Sequence, residues 1–195
     1  MDHVDFRPST SRLAALVQGV RDDQLTGRTP CPDYSVADLL DHVGGLAVVF
    51  AASARKDREV AGTAASPDGD RLEDGWRDRI AAQLTEMGEA WQDPAAYDGV
   101  TMAGPVELPG DQAALVALDE VTVHAWDLAV ATGQPYDADP AAVAACRGFV
   151  ATFEPPPGGA ADDGGLFGPP VPVADDAPEL DRLIGATGRD PKWGS

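Results

Sequence analysis

Histidine, cysteine and positive charge are all scarce in this chain of 195 residues. Its two cysteines, Cys31 and Cys146, are too few for a disulfide scaffold and make a reducing cytoplasm the natural compartment. Only 14 Lys+Arg stand against 33 Asp+Glu, a formal net charge of −19. Such a surface repels phosphate backbones and anionic lipid headgroups, so neither nucleic acid nor a membrane is expected as a partner. No stretch approaches the roughly 18–20 apolar residues of a membrane span. The start, Met1-Asp2-His3-Val4-Asp5, has neither the basic region nor the apolar run of a signal peptide.

What is present is helical patterning on a 44% hydrophobic chain, enough for one domain with an appendage. No strand alternation stands out. A first helix opens at Ser9-Thr10-Ser11, with Leu13, Leu16, Val17 and Val20 as its apolar stripe. A second follows the turn Thr29-Pro30-Cys31-Pro32-Asp33 and starts at Ser35-Val36-Ala37-Asp38, close to a capping box. Residues 62–70 read as a loop, and a third helix is expected from Leu72 to Trp91 with Trp76, Ile80, Leu84 and Met87 inward. Asp93 to Gly110 holds three prolines and reads as an extended crossing loop. A fourth helix runs from Asp111 to Ala131, with Gly133 as its C′ residue. A fifth begins at Asp139-Pro140 and continues to Phe153.

These helices define a domain at residues 1–153. Residues 154–195 form a Pro/Gly-rich wrap with one short helix, Glu179 to Ala186. Within the wrap, Leu166-Phe167 and Val171-Pro172-Val173 are apolar enough to dock on the bundle.

Two of the three histidines sit inside apolar helical faces: His42 between Leu39 and Leu46, His124 between Val121 and Leu128. Glu120 precedes His124 by one helical turn, so their side chains share a face. A carboxylate and an imidazole so placed can reach one ion. His42 from a neighbouring helix would complete a three-ligand site with an open position. A hydrogen-bonded core histidine is the competing reading of each ring. The donor set suits Zn²⁺ and also Ni²⁺, Fe²⁺ or Mn²⁺.

Asp127, three residues after His124, could orient a ligand or be solvated. Asp38 could orient His42, but capping is its stronger role. Asp119 points about 100° away from Glu120 and is expected to be exposed. Cys31 is by default a small buried hydrophobe, with a fourth metal ligand as the alternative.

The segments Thr29-Pro30-Cys31-Pro32-Asp33-Tyr34-Ser35-Val36-Ala37-Asp38-Leu39-Leu40-Asp41-His42 and Val123-His124-Ala125-Trp126-Asp127-Leu128-Ala129-Val130-Ala131-Thr132-Gly133 carry a resemblance. They are similar to the DinB-like metal-binding superfamily, in the branch that holds the metal-binding domain of mycothiol-dependent maleylpyruvate isomerase. The ending, Phe167-Gly168-Pro169-Pro170-Val171-Pro172-Val173 through Gly188-Arg189-Asp190-Pro191, resembles an uncharacterised subfamily of that branch.

The resemblance implies an all-α, up-and-down four-helix bundle with an irregular C-terminal extension. It places a divalent metal on His42, Glu120 and His124, and a low-molecular-weight thiol, mycothiol-like, as cosubstrate for S-transfer or isomerisation of a small electrophile. The alternative is a non-catalytic bundle that binds or senses a metal, or binds a partner. Where the isomerase has a second domain that helps form its active site, this sequence has a short tail, so the isomerisation itself is not carried over. The tail could cover the pocket instead, with Arg189 or Lys192 meeting an anion. A homodimer is compatible with so small a helical protein, though no feature argues for one.

Overall fold

The computed structural model describes residues 3–153 and 167–194. Its helices are α1 (Arg7–Gly19), α2 (Val36–Ala54), α3 (Arg58–Ala61), α4 (Trp76–Ala90), α5 (Gly110–Thr132), α6 (Pro140–Val150) and α7 (Glu179–Ala186). Among the described residues the fold is all-α apart from one small hairpin.

The long helices form a closed ring in which α1 packs on α4 and α5, and α2 packs on the same two. Their directions follow from which ends meet. The Arg77 guanidinium at the start of α4 donates to the Val20 carbonyl just past α1, so these two are antiparallel. Gly44 faces Ile80 while Arg55 pairs with Glu86, so α2 and α4 run the same way. Gly110 opens α5 beside Lys56, and the Thr132 carbonyl at its far end accepts from Gln24 just past α1.

The chain therefore has to travel back the length of α2 before α4 begins. It does so alongside α2, fixed by Ala65 against His42 and Gly69 against Ala37. That return path brings a backbone carbonyl to the ring of His42.

Local chemistry explains the boundaries. Ser35 Oγ accepts from the Asp38 amide at 3.2 Å while Asp38 Oδ2 accepts from the Ser35 amide at 2.9 Å, the expected capping box. Asp38 Oδ1 also accepts from the Gly69 amide at 2.8 Å, so this carboxylate holds the return path down and does not orient His42. Gly133, at φ 68°, closes α5 in the left-handed conformation that glycine adopts without penalty. Asp139 caps α6.

Two expectations are corrected here. Residues 93–110 contain an antiparallel hairpin, Val100–Ala103 with Val106–Pro109, preceded by a single tight turn over Pro94–Tyr97. The two strands are four residues each, too short for alternation to show. Their signal was the two-residue turn Gly104-Pro105, with Gly104 at φ 58°. Ser53 and Thr101 tie the hairpin to α2: the Ser53 hydroxyl donates to the Met102 carbonyl, and the Thr101 hydroxyl donates to that of Ser53. Second, α2 is long and apolar enough to cross a membrane by length and composition. It is instead a core helix here, with Val36, Leu39, Leu40 and Val43 inside the bundle.

The tail returns to the bundle. Leu183 and Ile184 of α7 are wholly buried in the main core, and the Val171 amide donates to the Gly185 carbonyl. Phe167 meets Phe149 and Phe153 edge-on. Leu166, expected to dock beside Phe167, lies outside the described residues.

Candidate metal centre

α2 and α5 are antiparallel neighbours, so a histidine near the start of one can meet residues in the second half of the other. His42 and His124 do meet, with ring centroids 5.2 Å apart and planes nearly perpendicular. Donor atoms of His42, Glu120 and His124 all lie within 4.8 Å of one another. The structure thus brings together all three residues that the sequence spacing selected.

The tautomers follow from the partners. His42 Nδ1 is 2.6 Å from the Ala65 carbonyl oxygen, which can only accept, so Nδ1 carries the proton and Nε2 keeps its lone pair. His124 Nδ1 is 2.9 Å from Asp127 Oδ2, again an acceptor. A ligating histidine characteristically has its second nitrogen tied to a carbonyl or carboxylate in this way. His124 Nε2 lies 2.9 Å from Glu120 Oε2.

Charges settle accordingly. Burial works against the imidazolium of His124, but contacts with Asp127, Cys31 and Glu120 outweigh it and hold the ring's pKa well above its ordinary value. Burial and the charge on His124 push His42 down, keeping it neutral. Burial alone would raise Glu120, and the His124 contact lowers it instead. Without a metal the site is thus one neutral imidazole beside an imidazolium–carboxylate pair. This donor set fits a divalent ion: two nitrogens and one carboxylate oxygen, converging within reach of a single centre.

Asp127 is completely buried and is satisfied from two sides. Opposite His124, Arg189 of the tail donates through Nε at 2.8 Å to Oδ1 and through Nη2 at 2.9 Å to Oδ2. Asp127 therefore orients His124, one of the two roles open to it in the sequence, and the tail in turn orients Asp127. Cys31 departs from its default as a buried hydrophobe. It is half-buried, with Sγ 3.4 Å from Asp127 Oδ2 and 3.6 Å from Arg189 Nη2. Cys31, His124 and Asp127 are also close enough to share an ion. In that trio, however, Arg189 already engages both Asp127 oxygens and His124 Nδ1 holds a proton.

A cleft of about 490 Å³ opens over these residues. Tyr34, Asp119 and Val123 line one part of its wall, and Phe167, Gly188 and Arg189 from the tail line another. The tail thus covers part of the pocket, with Arg189 in its lining.

Asp119 corrects a further expectation: only 5% of it is exposed. The 100° offset from Glu120 is real, but α5 is enclosed on more than one side, by the bundle and by α6. The signal was available in the near-continuous apolar character of residues 113–129, which marks a helix buried all round. Burial, followed by the charge of Glu120, pushes the Asp119 carboxyl up to about 7.

Residues 6–129 match the family described as the mycothiol maleylpyruvate isomerase N-terminal domain. The chain belongs to that family. Uncharacterised proteins from two strains of Mycobacterium tuberculosis, CDC 1551 and H37Rv, are each 34% identical to it over 186 residues, covering 91% of both chains. The crystal structure of the mycothiol-dependent maleylpyruvate isomerase superposes with a TM-score of 0.56 at 16% identity, over 75% of this chain. A histidine-to-alanine mutant of the same enzyme superposes equally well. The family fold is thus shared. The chain spans 65% of the isomerase's length, so the family member described here has a fold in common with that enzyme over part of it.

Proposed function

We propose that the chain is a cytoplasmic metal-dependent protein in which His42, Glu120 and His124 hold one divalent ion, Zn²⁺ or another first-row metal. We further propose that it works as an enzyme activating a small, mycothiol-like thiol for transfer to, or isomerisation of, an electrophilic molecule. The observation that carries this reading is the pair of histidines whose Nδ1 protons are already committed, to Ala65 and to Asp127, so that His42 Nε2 keeps its lone pair and His124 Nε2 would exchange its proton, shared with Glu120, for an ion. A bound metal would supply a deprotonated sulfur at neutral pH, since coordination lowers a thiol's pKa.

The chain's own residues have the remaining tasks. Asp127 keeps His124 in one tautomer and one orientation. Arg189 neutralises Asp127, so the buried carboxylate can serve His124 without being protonated. Phe167 and Gly168 of the tail shield part of the cleft from water. The sequence division is retained in this proposal, with 1–153 as the metal-binding bundle and 154–195 as the wrap, whose described residues Phe167 to Arg189 contribute to the pocket wall.

The test is to load the protein with Co²⁺ and titrate it with a small thiol. Enzyme chemistry requires a thiolate-to-cobalt absorption band and thiol-dependent consumption of an electrophile. A cobalt spectrum that no thiol perturbs would leave a metal-binding or sensing bundle as the function.

A further inference from the structure

A second cavity, of about 310 Å³, opens between α2, α4 and the return path that joins them. One wall is the stretch Thr63 to Ser66, whose Ala65 carbonyl also holds the ring of His42. Val48, Val49 and Ala64 give the lining an apolar side, and Val48 is one of the few large apolar side chains exposed on the molecule.

The other side is cationic, against the charge of the chain as a whole. The charged side chains of the lining are Arg71, Arg79 and Asp41. Most arginines of this acidic chain end on a carboxylate. Arg79 forms no ion pair among the described residues, and the positions one turn from it on its own helix are Gly75, Trp76, Ala82 and Gln83, none of them acidic. Arg71 neutralises Asp41 through Nε and Nη2, so the cavity keeps one uncompensated positive charge. Gln83 Oε1 is sealed inside the protein beside Gly44, which leaves its amide nitrogen as the group offered to the cavity.

We propose that this cavity binds a small aliphatic carboxylate, its charged end on Arg79 and the Gln83 amide and its hydrocarbon end against Val48 and Val49. A guanidinium presents a planar fork that matches a carboxylate, and an apolar wall beside it favours an organic anion over a hydrated inorganic one. Arg79 is exposed, so the contact is worth only about 1 kcal/mol and the binding is weak. The site lies apart from the metal centre and stands or falls independently of the metal–thiol reading.

The experiment titrates the full chain, without added metal, with butyrate, butylamine or inorganic phosphate at constant ionic strength. Binding is read from the backbone amide NMR signals of Gly44, Gly45, Ala64 and Ala65. Butyrate is expected to shift them saturably, phosphate to bind more weakly, and butylamine to leave them unchanged. Arg79→Gln is expected to raise the butyrate dissociation constant about fivefold. Arg28→Gln removes the other arginine that lacks an ion pair among the described residues, outside this cavity, and is expected to stay within about twofold of native. Val48→Asp, at an exposed position, is expected to weaken butyrate without unfolding the chain.

The absence of saturable shifts with butyrate overturns the site. An unchanged constant in Arg79→Gln, or an equal loss in Arg28→Gln, overturns the role of Arg79. Phosphate binding as tightly as butyrate overturns the aliphatic class of the ligand.

Discussion

At the scale of single residues, His124 is held between two carboxylates, and the two do different work. Glu120 faces Nε2, where a metal would bind, and Asp127 faces Nδ1, where it fixes the ring. Asp127→Asn keeps the shape but weakens the pull on the Nδ1 proton. It is expected to lower metal affinity about 10–100-fold, as measured by competition with a chelator, with little change in the fold. Arg189→Met leaves the fully buried Asp127 carboxylate with His124 and the weakly donating Cys31 thiol but without its guanidinium. That is expected to cost about 3–5 kcal/mol in urea denaturation, the usual result of breaking a buried pair from one side. The meeting of His42, Glu120 and His124 was legible in the sequence because it depends only on helical spacing and the apolar setting of two histidines. Asp119, Cys31 and Arg189 were less so, because their environments come from α6 and the tail meeting α5, contacts that no local pattern records.

At the scale of elements, the Ser35–Asp38 capping box has two functions. It starts α2 in the phase that carries His42 inward seven residues later, and it anchors the return path that supplies the Ala65 carbonyl. Ser35→Ala is expected to destabilise the protein by about 1 kcal/mol, read from the shift in denaturation midpoint. Asp38 adds a pH dependence of definite sign. The Ser35 hydroxyl, with the Gly69 and Ser35 amides, holds its pKa below the usual carboxylate value. Its contribution is therefore present above about pH 4 and lost as the pH falls through the folded-state pKa. The native protein should lose stability faster than Asp38→Asn over that acid range, and parallel curves would remove Asp38 from the account. Caps and helix cores were readable at this scale. The hairpin was missed because two four-residue strands hold no statistical weight beside Pro94, Pro105 and Pro109.

At the scale of the whole molecule, the bundle and the wrap share one core. Leu183 and Ile184 sit among residues of the main cluster, and Arg189 follows α7 directly to Asp127. Ile184→Ala is expected to cost about 2–5 kcal/mol. By loosening the seat of Arg189, it should also weaken metal binding in the chelator assay, which a merely peripheral tail would not do. The composition marked 154–195 as a Pro/Gly-rich wrap with one short helix, but not that this helix, α7, would enter the core. The feature on which everything else depends is the ion proposed between α2 and α5. Elemental analysis of the purified full chain, set against His42→Ala and His124→Ala with helicity checked by circular dichroism, tests it most directly. The account predicts about one first-row divalent ion per native chain and its loss from both variants while the helices persist. A native chain that takes up no ion, or a folded His124→Ala that keeps its ion, would contradict it.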